Sequence, residues 1–114
     1  MPSKNPAQRL RDIDAIAAFT AGMTLEDFVR DRKTVYAVTR ALEIISEAAR
    51  RLPDDFKANH PAVDWPAVAA AGNVYRHEYE VVDDGLVWHT IQHGLASLRT
   101  LSDRELNRPG TPTD

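Results

Sequence analysis

The segment spanning residues 31–52 constrains this chain more than any other. Val35, Val38, Leu42, Ile45, Ala49 and Leu52 recur in steps of three and four, the repeat of one helix face. Ala37, Ala41, Ile44 and Ala48 widen that apolar surface. A stripe so broad needs neighbours on more than one side. The segment is therefore either the central helix of a bundle or a helix that also faces a second subunit. Pro53 ends it, because proline has no N–H to offer another turn.

Shorter helices are expected around this one. Pro6 suits a first helical turn, and Leu10, Ile13, Ile16 and Ala17 follow at helical spacing until Gly22 stops the run. Thr24 with Asp27 three residues on forms a capping-box pattern, opening a short helix through Val29. Residues 53–61 read as a loop with room for one helical turn. Asp64 is a candidate N-cap with Pro66 in the first turn, and the helix they open is expected to carry Asn73 and His77 and to end near Glu80. Asp84 is expected to cap a last long helix whose Val87, Ile91, Leu95 and Leu98 face the core. No alternating strand pattern and no internal repeat is present. The fold class that follows is all-α, an antiparallel four-helix bundle with short extra helices. Residues 1–103 form its single domain, and residues 104–114, with Pro109, Gly110 and Pro112, read as a flexible tail.

Bulk properties narrow the function classes. At 114 residues, 43% hydrophobic and 27% charged, the composition is that of one globular domain. The absence of cysteine excludes disulfides and thiolate zinc sites and makes a cytoplasmic location the expectation. No apolar run reaches membrane-spanning length and no signal-peptide core opens the chain, so no membrane association is expected. A net charge of −3 argues against coating nucleic acid by bulk charge, but it leaves room for a local basic pocket.

Chemistry concentrates in Gly72-Asn73-Val74-Tyr75-Arg76-His77-Glu78-Tyr79. Histidine takes and returns a proton near neutral pH, and the arginine fork matches a phosphate. Asn73 precedes His77 by four residues, so on a continuous helix the two share a face. The combination suits RNA phosphodiester cleavage without a metal, and it equally suits a structural histidine. Arg40, Glu43 and Glu47 form either a solvated face of weak ion pairs or the border of a cleft. Trp65 and Trp88 read as packing residues. His60, His89 and His93 lack partners at metal-ligand spacing, so no metal and no cofactor is expected.

Four stretches together resemble a known family: Arg9-Leu10-Arg11-Asp12-Ile13, then Arg40-Ala41-Leu42-Glu43-Ile44-Ile45-Ser46-Glu47-Ala48-Ala49, then residues 65–79, and Val87-Trp88-His89-Thr90-Ile91. Their order and spacing resemble the HepT-like proteins, the toxin half of bacterial toxin–antitoxin pairs within the HEPN group, over residues 9–99. The resemblance implies a HEPN-like bundle that forms a homodimer and acts as a metal-independent endoribonuclease on RNA. It also implies pairing with a small nucleotidyltransferase-type antitoxin that transfers AMP to a tyrosine. The family motif is Arg, four to six residues, His, one residue, Tyr. Its His-x-Tyr part falls on His77 as the catalytic base and Tyr79 as the AMP acceptor. The chain departs at one place: Gly72 stands where the motif has arginine directly before the asparagine. Arg76 is then the candidate phosphate clamp, Asn73 orients His77 or binds the phosphate, and Arg40 and Glu47 support the cleft. Two other readings stay open. One is a catalytically silent HEPN-type module that binds a nucleotidyltransferase, with Gly72 marking the lost activity. The other is a nucleotide-binding dimer that does not cleave.

Overall fold

The chain enters through α1 (Pro6–Arg9) and bends into α2 (Asp12–Thr20) across Leu10 and Arg11, where backbone bonds span three residues instead of four. The computed structural model describes residues 6–73, 75–76 and 81–106, and of 75, 76, 81, 82, 94, 105 and 106 the backbone alone. Gly22 follows α2 at φ +75°, the left-handed conformation that a side chain would strain. Thr24 and Asp27 then form the expected capping box at the start of α3 (Leu25–Arg30): each side chain accepts the other's backbone N–H at 3.1 Å.

Asp31 opens the central helix α4 (Arg32–Arg51). Its carboxylate accepts the Thr34 N–H at 3.1 Å and the Thr34 hydroxyl at 2.8 Å. Those two bonds hold its pKa below the ordinary carboxylate value. The apolar stripe is buried throughout, from Val35, Val38, Leu42, Ile45 and Ala49 to Leu52 beyond the helix end, and Ala41 and Ala48 are buried beside it. The preceding helices pack against α4, as do two that follow it. Ala37 and Ile44 on the same flank stay half-buried, so one protomer covers most of that breadth and leaves part of it open. Each fully buried Leu, Ile or Val contributes about 1.5–3 kcal/mol relative to exposure.

After Pro53 comes α5 (Asp54–Ala58), the single turn expected there. Asp64 caps α6 (Trp65–Ala70) by accepting the Ala67 N–H at 3.1 Å. Trp65 is a packing residue that also fixes the preceding turn: its indole N–H donates to the Lys57 and His60 carbonyls at 3.2 and 3.1 Å, and its ring meets Phe56 edge-on.

Here the structure corrects the sequence reading. The helix does not continue to Glu80 but stops at Ala70. In a continuing helix the Val68 carbonyl would receive the Gly72 N–H. It instead receives the Ser46 hydroxyl and the Ala71 N–H, both at 3.2 Å, and the Gly72 N–H donates to Ser46 Oγ at 2.6 Å. With that bond captured from α4, the α-helix tightens into three-residue turns, the last being the Asn73 N–H donating to the Ala70 carbonyl at 2.9 Å. The chain then turns into a minimal antiparallel pair, β1 (Tyr75–Arg76) with β2 (Val81–Val82), in which Tyr75 faces Val82 and Arg76 faces Val81.

The last helical run is α7 (Asp84–His89), a π-type turn over Thr90–Gly94, α8 (Ala96–Leu101) and a second π-type turn over Ser102–Leu106. Val87, Leu95 and Leu98 are fully buried and Ile91 is half-buried. The cap is Asp83, which accepts the Leu86 N–H at 3.0 Å. Asp84, the residue expected in that role, pairs instead with Arg32 of α4. Trp88 stacks on buried Phe28 with ring centroids 5.3 Å apart, joining α7 to α3. The buried Ser102 hydroxyl donates to Asp14 of α2 at 2.9 Å. The result is the all-α bundle the sequence implies, wrapped on α4. No helix among the described residues is long and apolar enough to cross a membrane. Of the tail expected from residue 104 on, residues 107–114 lie outside the described residues.

Candidate functional site

One long face of α4 is polar. Arg40, Glu43, Glu47 and Arg50 follow each other in steps of three and four, which places them along one edge of the helix. Opposite them, Gly72 and Asn73 leave the end of α6. Between the two edges lies a groove of about 320 Å³, lined by these six residues and Ser46.

Ser46 anchors the groove. It is 1% exposed, and its hydroxyl is fully used, donating to Val68 and accepting from Gly72. A Cβ on residue 72 would lie 2.9 Å from Ser46 Oγ and 3.2 Å from Ser46 Cβ. Glycine thus fills a position where α4 and the α6 exit touch. Arg50 spans the same gap: its guanidinium donates to the Ala69 carbonyl at 2.9 Å and approaches Glu47 at 3.7 Å. Glu47 also holds Arg51, at 3.0 Å. Arg40 reaches Glu43 at only 3.8 Å, and its side chain is 71% exposed. The groove thus offers guanidinium forks for an anion, carboxylates beside them, and the Asn73 amide at its rim.

Asn73 and the two residues expected to support its cleft, Arg40 and Glu47, line this one groove. His77 and Tyr79 lie outside the described residues, and of Arg76 only the backbone is described, within β1. The expectation that Arg76 lies one helical turn beyond residue 72 fails with the helix end at Ala70, because Arg76 sits in β1; Asn73 lies past the helix end, and the expectation that it shares a helix face with His77 falls outside the described residues. Ser46 and Arg50 went unnoticed in the sequence. Ser46 carried a signal, a hydroxyl set beside the apolar stripe. Arg50 carried one too, three residues after Glu47 on the same edge.

The remaining histidines sit elsewhere. His60 packs on Phe56, and His89 and His93 face each other with ring centroids 4.7 Å apart on the surface. Among the described residues no three His, Cys, Asp or Glu side chains gather as metal ligands. Near α1, Asp12 titrates above the ordinary carboxylate value because burial disfavours its charge, with Arg9 and Arg11 opposing that effect.

Comparison with known proteins bears on the whole bundle. The family model described as "Ribonuclease HepT-like" matches residues 9–105. A protein named "Probable ribonuclease HepT" from Thermococcus cleftensis is 41% identical over 87 residues, covering 76% of this chain and 79% of that one. A protein of Methanocaldococcus jannaschii named as a candidate RNase is 36% identical over 95 residues, covering 80% and 78%. Another so named, from Caldanaerobacter subterraneus, is 35% identical over 89 residues, covering 78% and 80%. No solved structure matches the chain significantly. With most of its length matched by the model and by these relatives, the chain belongs to the HepT-like ribonuclease family.

Proposed function

We propose that this protein is a cytoplasmic, metal-independent endoribonuclease and the toxin of a toxin–antitoxin pair. The observation that carries the reading is family membership over residues 9–105, joined to a groove that gathers Arg40, Arg50 and Asn73 just before the His77 segment. His77 takes the proton from a ribose 2′-hydroxyl. The 2′-oxygen attacks the adjacent phosphorus, the P–O5′ bond breaks, and the proton passes to the departing 5′-oxygen. Arg76 stabilises charge gathering on the phosphoryl oxygens, with Asn73 orienting the base or the phosphate and Arg40 and Glu47 supporting the cleft. A homodimer sets two such segments along one cleft. The partner is a nucleotidyltransferase-type antitoxin, which silences the toxin by placing AMP on Tyr79.

The chemistry specifies its products. RNA incubated with the protein and a chelator is expected to yield 2′,3′-cyclic phosphate and 5′-hydroxyl ends, and a 2′-deoxy nucleotide at the cut site is expected to block cleavage. Cleavage that persists at the deoxy position overturns the mechanism.

The contact of Gly72 with Ser46 favours a second reading. A Cβ on residue 72 would crowd Ser46, so the motif's arginine fits there only if Ser46 shifts, as suits a silent module that binds its nucleotidyltransferase partner without cutting RNA. Intact RNA after exposure to the purified protein, together with a stable complex with the nucleotidyltransferase, supports that alternative.

A further inference from the structure

The Glu43–Glu47 edge of α4 has a groove on each side. One is the groove that ends at Asn73. The other, of about 190 Å³, lies between α4 and α1 and is lined by Arg9 and Arg51 as well as Arg40, Glu43 and Glu47. Arg40 and both glutamates line both grooves, so the two adjoin along this edge of the helix. Four arginines thus share this surface with two glutamates, while the whole chain carries −3.

By formal charge the four arginines outnumber the two glutamates. Glu47 is shared between Arg50 and Arg51, and Arg40 meets Glu43 at 3.8 Å with most of its side chain in solvent. Arg40 and Arg51 stand about 16 Å apart along the helix axis at 1.5 Å per residue. That length fits a few nucleotides of an extended strand. Guanidinium forks match phosphate oxygens with paired N–H donors.

We infer that this surface is a backbone track for single-stranded RNA, running from Asn73 across α4 to Arg51 and Arg9 and holding the phosphates that flank the cut site. The inference rests on the ribonuclease reading for its ligand, but its test varies Arg9 and Arg51, which are not among the residues proposed to carry the chemistry. An acidic protein is the competing occupant. RNA is favoured because the track begins at Asn73, four residues before His77 in the chain.

Binding without turnover isolates the track. The His77→Ala protein is titrated with a labelled single-stranded RNA of about 12 nucleotides, a length in the range such tracks hold. Adding Arg9→Ala and Arg51→Ala is expected to raise Kd about tenfold. The slope of log K against log salt is expected to fall by about 1.4, since each phosphate contact on a single strand contributes about 0.7. Arg30→Ala, on α3, serves as the control and is expected to change neither quantity. Unaltered melting of the arginine variants confirms that they fold. An unchanged Kd and slope, or no RNA binding by the parent at low salt, overturns the inference. So does polyglutamate binding that depends on these arginines while RNA binding does not. RNA held through the arginines yet left uncut by the protein with His77 intact keeps the track and removes the nuclease. RNA that is cut, with binding indifferent to Arg9 and Arg51, does the reverse.

Discussion

The backbone N–H of Gly72 donates to Ser46 Oγ at 2.6 Å, and a Cβ on residue 72 would lie 2.9 Å from that same oxygen. This contact lies at the end of α6 and beside the groove, and any side chain at this position would have to push Ser46 aside. Ser46 has little freedom to yield, since rotating its hydroxyl would break its bonds to Val68 and Gly72 together.

Gly72→Ala is therefore expected to destabilise by about 1–3 kcal/mol, the usual cost of overpacking. Ser46→Ala is expected to cost about 1–3 kcal/mol by orphaning the Gly72 N–H. Ser46→Gly clears the space, so combined with Gly72→Ala it costs less than the sum of the two single changes. Chemical denaturation of the four proteins checks this. Strict additivity would show that the residues do not meet. Gly72→Arg, which restores the motif residue, is expected to fold better with Ser46→Gly than without it.

Phe28 is fully buried and holds Trp88 at 5.3 Å, joining α3 to α7. Phe28→Ala is expected to cost about 3–5 kcal/mol in denaturant unfolding. Phe28→Leu, which keeps most of the volume, is expected to cost distinctly less.

The Asp31 cap carries a pH signature. Its folded-state pKa is lowered by the Thr34 bonds, so its stabilisation is present above the unfolded value of 3.8 and is lost as pH falls through the lower folded value. Asp31→Ala is expected to melt earlier than the parent at pH 7, with the gap closing as pH falls below 3.8. Asp31→Asn keeps an acceptor and is expected to fall between the two. Thermal melts at both pH values read the difference.

The sequence carried the central helix almost residue for residue, because a twenty-residue apolar stripe flanked by Asp31 and Pro53 leaves one solution. It carried the Thr24 capping box and the Asp64 cap for the same reason, since those signals are local. The end of α6 was illegible. It depends on a hydroxyl 26 residues earlier in the chain, and apart from that contact residues 65–80 read as a continuous helix. The shift of the last cap from Asp84 to Asp83 has the same origin, since Arg32 of α4 claims Asp84 from a distance. Arg40, Glu47 and Asn73 could be named from sequence because the family resemblance pointed to their stretches. That they share a groove follows only from the packing of α6 on α4.

The decisive measurement is the rate at which purified protein cleaves single-stranded RNA in excess chelator, with and without His77→Ala. Loss of a catalytic base is expected to slow cleavage by about 10²–10⁴-fold while the variant melts at the parent's temperature. Equal rates for the two proteins, or no cleavage by either, would contradict a ribonuclease built on His77.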